Sequence, residues 1–166
     1  MGVAVKAGLD TSRRRMPKSR RQVLTKLDRQ SEQELARWVV EPEQMRFYGA
    51  GEMLYACRRE HYDALEAMSG TLSVIYSGVA MGQIFKGRLR PDGALAFYVG
   101  LNRKAVACCE VEAEVALQFL RKQDVAAEPF AEGLNLVLCD GQALGFVKRV
   151  GARVNNMYPS SLRILK

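Results

Sequence analysis

The chain has 166 residues, a hydrophobic fraction of 48% and a formal net charge of +7. That length fits about one domain, the apolar fraction excludes a wholly disordered chain, and no apolar run approaches the roughly 18 residues of a spanning helix. The charge is unevenly placed. Residues 1–29 hold nine basic side chains against Asp10 and Asp28, whereas the remaining 137 residues hold 16 basic and 16 acidic ones. A neutral body with a basic leader implies a polyanionic partner, nucleic acid before membrane, because summed charge draws such partners in.

Residues 1–29 are poor in large apolar groups and read as a flexible basic arm, with residues 30–166 as one folded domain. The start MGVAVKAGLDTSRRR lacks the apolar stretch and cleavage site of a signal peptide. Lys6 stands where a myristoylation start needs Ser or Thr. An Arg- and Ser-containing start suits an organelle transit peptide, but Asp10 and weak amphipathicity argue against one. Val23, Leu24 and Leu27 have helical spacing and predict a segment that folds on contact.

Ser31 and Glu34 fit a capping box, with Ser31 taking an orphan amide and Glu34 reaching back. They predict a helix through Leu35, Trp38 and Val39, ended by Pro42. Glu52 to Cys57 reads as a short strand. Glu60 to Met68 places Tyr62, Leu65 and Met68 on one helix face, closed by Gly70. Thr71 to Tyr76 and Val79 to Phe85 are β-rich runs split by Ser77-Gly78, which predicts a hairpin-like pair. Pro91 suits the first turn of a helix from Asp92 to about Val99.

Glu110 to Lys122 carries acidic groups at its start, Arg121 and Lys122 at its end, and Val115, Phe119 and Leu120 on one face, all helix signals. After a loop with Pro129 and Gly133, Leu134 to Cys139 predicts a strand, Asp140-Gly141 a turn and Ala143 to Val150 a returning strand. Short helices interleaved with strands and tight turns imply an α+β fold around a small, strongly bent mixed sheet.

No catalytic constellation emerges. His61, the one histidine, lies beside Glu60 and Asp63 in a charged helix start and reads as a surface residue. Cys57, Cys108, Cys109 and Cys139 have no CxxC spacing, so they predict buried, reduced thiols in a cytoplasmic protein rather than metal ligands. Gly49-Ala50-Gly51 lacks the context of a nucleotide-binding turn and reads as a loop. Glu110, Glu112 and Glu114 spread around a helix rather than converge. Neither a metal nor a cofactor is expected.

The C-terminal end carries a binding pattern. Residues 145–166 hold five basic groups and no acidic one. Its glycines permit close backbone approach, and its asparagines supply amide donors to phosphates or base edges. Strand alternation puts Lys148 and Val150 opposite Arg149 and Gly151, so these charges cannot all face one ligand.

The run from Gly145 to Arg163, GFVKRVGARVNNMYPSSLR, resembles the closing signature of the RNA-binding PUA-like domain of RsmF-type 16S ribosomal RNA cytosine-C5 methyltransferases. Earlier blocks are similar in order. Gly78 to Gly82 resembles the family's Gly-Leu-x-Leu-Gly turn. Lys86 to Pro91 with Ala94-Leu95-Ala96 resembles its Lys-x-Gly-Arg-Phe-x-Pro-Ser-His-Ala-Leu-Ala box. Phe119-Leu120-Arg121 stands where the family has Tyr-Leu-Arg, and Leu136 to Gly145 matches its last hairpin. Asp92-Gly93, Lys122-Gln123, Asn155, Met157 and Ser160-Ser161 depart from the pattern, and lost Lys and His groups would weaken phosphate contacts there.

The resemblance implies a PUA-like pseudo-barrel and a noncatalytic protein that binds structured, ribosomal RNA. Its candidate RNA-binding residues are Lys86, Arg88, Arg90, Lys148, Arg149, Arg153, Asn156, Tyr158 and Arg163, joined by Arg13, Arg14, Arg15, Lys18, Arg20 and Arg21 of the arm. Core packing competes with base contact at Tyr158, and a structural turn competes with RNA contact at Asn156. The family's methyl-donor domain and Pro-Cys nucleophile are missing from this sequence. Met1 and the distinctive arm favour a freestanding protein over one subunit of a split methyltransferase. A protein-interaction domain with an arm for acidic surfaces is the remaining alternative.

Overall fold

The computed structural model describes residues 23–165 apart from residues 73, 75 and 76. Its strands form two sheets. The first is antiparallel, in the order β1 (Leu24–Thr25), β2 (Met45–Ala50), β3 (Met53–Arg58), β4 (Val79–Phe85) and β5 (Arg88–Pro91). The second runs β6 (Ala107–Glu110), β7 (Gly133–Cys139), β8 (Gln142–Val150) and β9 (Arg153–Asn156), with β6 and β7 parallel. Four short helices complete the fold: α1 (Arg29–Ala36), α2 (Arg59–Ser69), α3 (Gly93–Ala96) and α4 (Ala113–Leu120).

The α+β class stands, but two open sheets replace the one bent sheet expected. No described ladder joins β5 to the second sheet, so no barrel closes. Packing joins the sheets instead. Leu35, Trp38, Met81, Leu89 and Leu95 share a core with Leu136, Leu138 and Phe146, and Trp38 meets Phe146 edge-on at 6.3 Å. Each such side chain, fully buried, is worth about 1.5–3 kcal/mol. On the outer face of the first sheet, α2 packs Tyr62 and Leu65 against Tyr48 and Cys57. On the outer face of the second, α4 packs Ala116 and Phe119 against Val137 and Val147.

Several local expectations change. The α1 cap is Asp28, whose carboxylate accepts from the Ser31 amide at 2.6 Å. Glu34 does not reach back to a cap. It accepts the Leu89 amide at 3.0 Å and the Trp38 indole at 3.4 Å, tying α1 to β5. The helix stops at Ala36, yet Trp38 and Val39 remain buried, Val39 through a bridge to Leu101. Leu24 is in a two-residue strand, not a helix. Gly49 and Ala50 belong to β2 rather than a loop, with Gly51 in the turn to β3.

Both edges of β4 are occupied, by β3 and β5, so no partner position remains for the run before it. Of that run, residues 73, 75 and 76 lie outside the described residues, and Thr71, Leu72 and Val74 are not in a strand. Pro91 ends β5, and Asp92 caps a helix of only four residues. Glu110 lies in β6 and accepts the Gly141 amide, which delays α4 to Ala113. The Asp140-Gly141 turn forms as expected, both residues left-handed (φ 49° and 71°) as a type I′ hairpin requires.

Candidate nucleic-acid interface

The β4–β5 hairpin is closed by Lys86 and Gly87 between the paired Phe85 and Arg88. Both loop residues are left-handed (φ 51° and 74°), again the type I′ geometry, which Gly tolerates freely and Lys does not. This places Lys86 at the hairpin tip. Alternation along β5 buries Leu89 and Pro91 and exposes Arg88 and Arg90. Gly82 lets the strands approach: at φ 127°, a Cβ there would collide with the Arg90 carbonyl. The Gly78 to Gly82 block is therefore mostly strand rather than turn, bulged where β3 and β4 shift register.

The second sheet supplies the facing wall. Leu134, Lys148 and Asn155 form a cross-strand row over β7, β8 and β9. Between the walls runs a groove of about 870 Å³, lined by Lys86, Arg88, Arg90 and Lys148 together with Phe85 and Met157. Among the described residues no acidic side chain lines it, and none of the four cations is in an ion pair. Arg153 is paired with Val150, two residues from Lys148, so alternation keeps this exposed arginine on the groove face.

Other candidates lie apart or are engaged. Arg149 donates to the Phe130 carbonyl at 2.6 Å and the Gly151 carbonyl at 2.8 Å, with Glu132 at 3.9 Å. Asn156 donates to the Phe119 carbonyl at 2.8 Å and accepts from the Tyr158 amide at 2.9 Å. The Tyr158 ring packs on Phe119 at 5.4 Å. Asn156 and Tyr158 stitch β9 and its exit to α4, and Arg149 ties β8 to the loop before β7. Arg163 is exposed near α4, where the neighbouring Ile164 amide donates to Leu120. Arg13, Arg14, Arg15, Lys18, Arg20 and Arg21 lie outside the described residues.

Phe85 escaped the sequence reading. It is 67% exposed at the groove rim, with the Lys86 ammonium 5.5 Å from its ring centroid. The available signal was an aromatic beside a lysine at a strand end.

Groups capable of chemistry are placed elsewhere. His61 is exposed beside Glu60, 3.5 Å away. All four cysteines are free. Cys57 and Cys109 are buried, Cys139 is half-buried, and Cys108 is exposed on the face of β6 opposite its neighbour Cys109. Burial pushes the Cys57 and Cys109 thiols up, away from the reactive thiolate. Tyr48, donating to the Ser77 carbonyl, is pushed up to about 12, chiefly by burial.

An α+β body with a cationic, acid-free groove between two sheets has the features of a polyanion-binding module. Residues 106–164 match the family model of the methyltransferase RsmF PUA domain. Over that segment the chain is similar to this family, in agreement with the resemblance read from the C-terminal signature, and no methyltransferase domain is detected in the chain. The Lys86 to Pro91 block lies outside the matched residues. No curated protein matches the chain.

Proposed function

We propose that this protein is a noncatalytic RNA-binding module that grips structured, ribosomal RNA through the groove between its sheets. The observation that carries the reading is that Lys86, Arg88, Arg90 and Lys148 line one groove whose lining, among the described residues, holds no acidic side chain. The RsmF PUA match supports RNA as the polyanion, in an accessory role. Arg153 extends the track, and the six cations from Arg13 to Arg21 add phosphate contacts from the arm. Asn156, Tyr158 and Arg149 hold the wall in place rather than touch the ligand. The free thiols suit a cytoplasmic, reducing setting.

A filter-binding titration against ribosomal RNA fragments over a salt series tests this. Each phosphate contact contributes about 0.7–0.9 to the slope of log affinity against log salt. Replacing Lys86, Arg88, Arg90 and Lys148 together by Ala should flatten that slope by about three. Wild-type affinity that stays level between low and moderate salt overturns the proposal.

A methyltransferase subunit is the second partner we infer, favoured by the methyltransferase in the family's description. Co-purification with a chain bearing a methyl-donor domain tests it.

A further inference from the structure

We propose that the groove takes an unpaired RNA strand, with one base stacked on Phe85, rather than the backbone of a duplex. The inference rests on the RNA reading above and specifies the form of RNA that this site accepts. Its first support is the composition of the groove. Apolar residues share the lining with the cations, Leu134 and Met157 among them on the second-sheet side. A duplex presents phosphates outward and keeps its base faces stacked inside, so it gains nothing from an apolar floor. A single strand offers both charged backbone and unstacked base faces.

The second support is Phe85 itself. A ring 67% exposed on a strand end contributes little to the core. It lies directly across from Arg88, and Gln83 lies across from Arg90. Alternation puts Phe85, Gln83 and both arginines on one face of the hairpin. Lys86, 5.5 Å from the ring centroid, brings a cation beside the stacking surface. Aromatic face and phosphate-binding charge thus recur at adjacent positions, the arrangement that sequence-tolerant single-strand sites use. Gln83 and Asn155 add amide groups to the lining, which suit the edges of an unpaired base.

The third support is shape. A concavity of about 870 Å³ is on the scale of a small-ligand cleft. A hollow of that volume suits a few unstacked nucleotides better than the full breadth of a duplex.

Fluorescence anisotropy on the full chain tests the proposal with two probes: an unstructured oligoribonucleotide of about 12 nucleotides and a hairpin duplex of matching composition. Wild type should bind the single strand more tightly. Phe85→Leu should weaken single-strand binding about tenfold, leave duplex binding level and keep the salt slope. Arg88→Ala should instead lower the slope on both probes. Preference for the duplex, or a Phe85→Leu variant that binds the single strand as wild type does, overturns the inference while salt-dependent binding keeps the RNA reading. Failure to bind either probe overturns both. The exposed position of Phe85 should leave the fold of the variant intact, which circular dichroism checks.

Discussion

The two faces of the second sheet are built from the same stretch of chain and put their polar groups to opposite uses. On the groove face, Lys148 and Arg153 extend into solvent with no ion-pair partner among the described residues. On the α4 face, Arg149 and Asn156 satisfy backbone carbonyls, and Lys122 donates to the Tyr158 carbonyl at 2.7 Å. Adjacent residues, Lys148 and Arg149, therefore differ more in role than distant ones such as Lys148 and Arg88. A run of basic residues in a strand is two sets, and only one of them faces the groove.

The most severe way to break this contrast is at Gly145. It sits at φ 149°, and a Cβ there would stand 2.9 Å from the Phe119 ring. Gly145→Ala should cost about 2–3 kcal/mol through combined backbone strain and overpacking. Urea denaturation should read that loss, while the fraction still folded binds RNA as before. A loss of affinity without a loss of stability would mean that the α4 face, too, meets RNA.

A milder pair sharpens the same point. Arg149→Ala should lower stability by about 1–2 kcal/mol, because the Phe130 and Gly151 carbonyls lose a charged donor, and should leave the salt slope of binding unchanged. Lys148→Ala should leave stability within about 0.5 kcal/mol and lower the slope by about 0.7. Exchanged outcomes would invert the assignment of the two faces.

The smallest effect concerns the support behind β5. The Ser31 backbone amide, donating to the Asp28 carboxylate, holds the carboxyl below the usual range. The folded state then binds fewer protons than the unfolded one at mildly acidic pH. The cap's contribution is present above the unfolded carboxyl pKa and is lost as pH falls through the folded value. Protection of the α1 amides, measured against their intrinsic exchange rates, should fall on acidification in wild type and lose that pH dependence in Asp28→Asn.

Much of the second sheet was legible in sequence because its signals are local. Asp140-Gly141 fixes a two-residue turn, and the flanking apolar runs fix its strands. β6 was not legible: four residues pairing in parallel with β7 across an intervening helix leave no mark on their own neighbourhood. The same holds for β2, whose Phe47 and Tyr48 face opposite cores and so show no polar alternation. At the candidate site, Lys86, Arg88, Arg90 and Lys148 stand out in the sequence by charge and by the family resemblance. Their meeting across two sheets depends on packing that no single segment encodes. At Asn156 and Tyr158 a structural role and an RNA contact competed in the sequence, and nothing in their spacing reveals that Phe119 engages both.

The shared apolar interior sets a limit on dissection. The family match begins at residue 106, but Phe146 rests on Trp38, and Leu136 and Leu138 rest among residues from the first sheet. A fragment cut at that boundary would turn the inner surface of its sheet toward water and lose one bank of the cleft. The matched stretch is therefore smaller than the unit that shares one core.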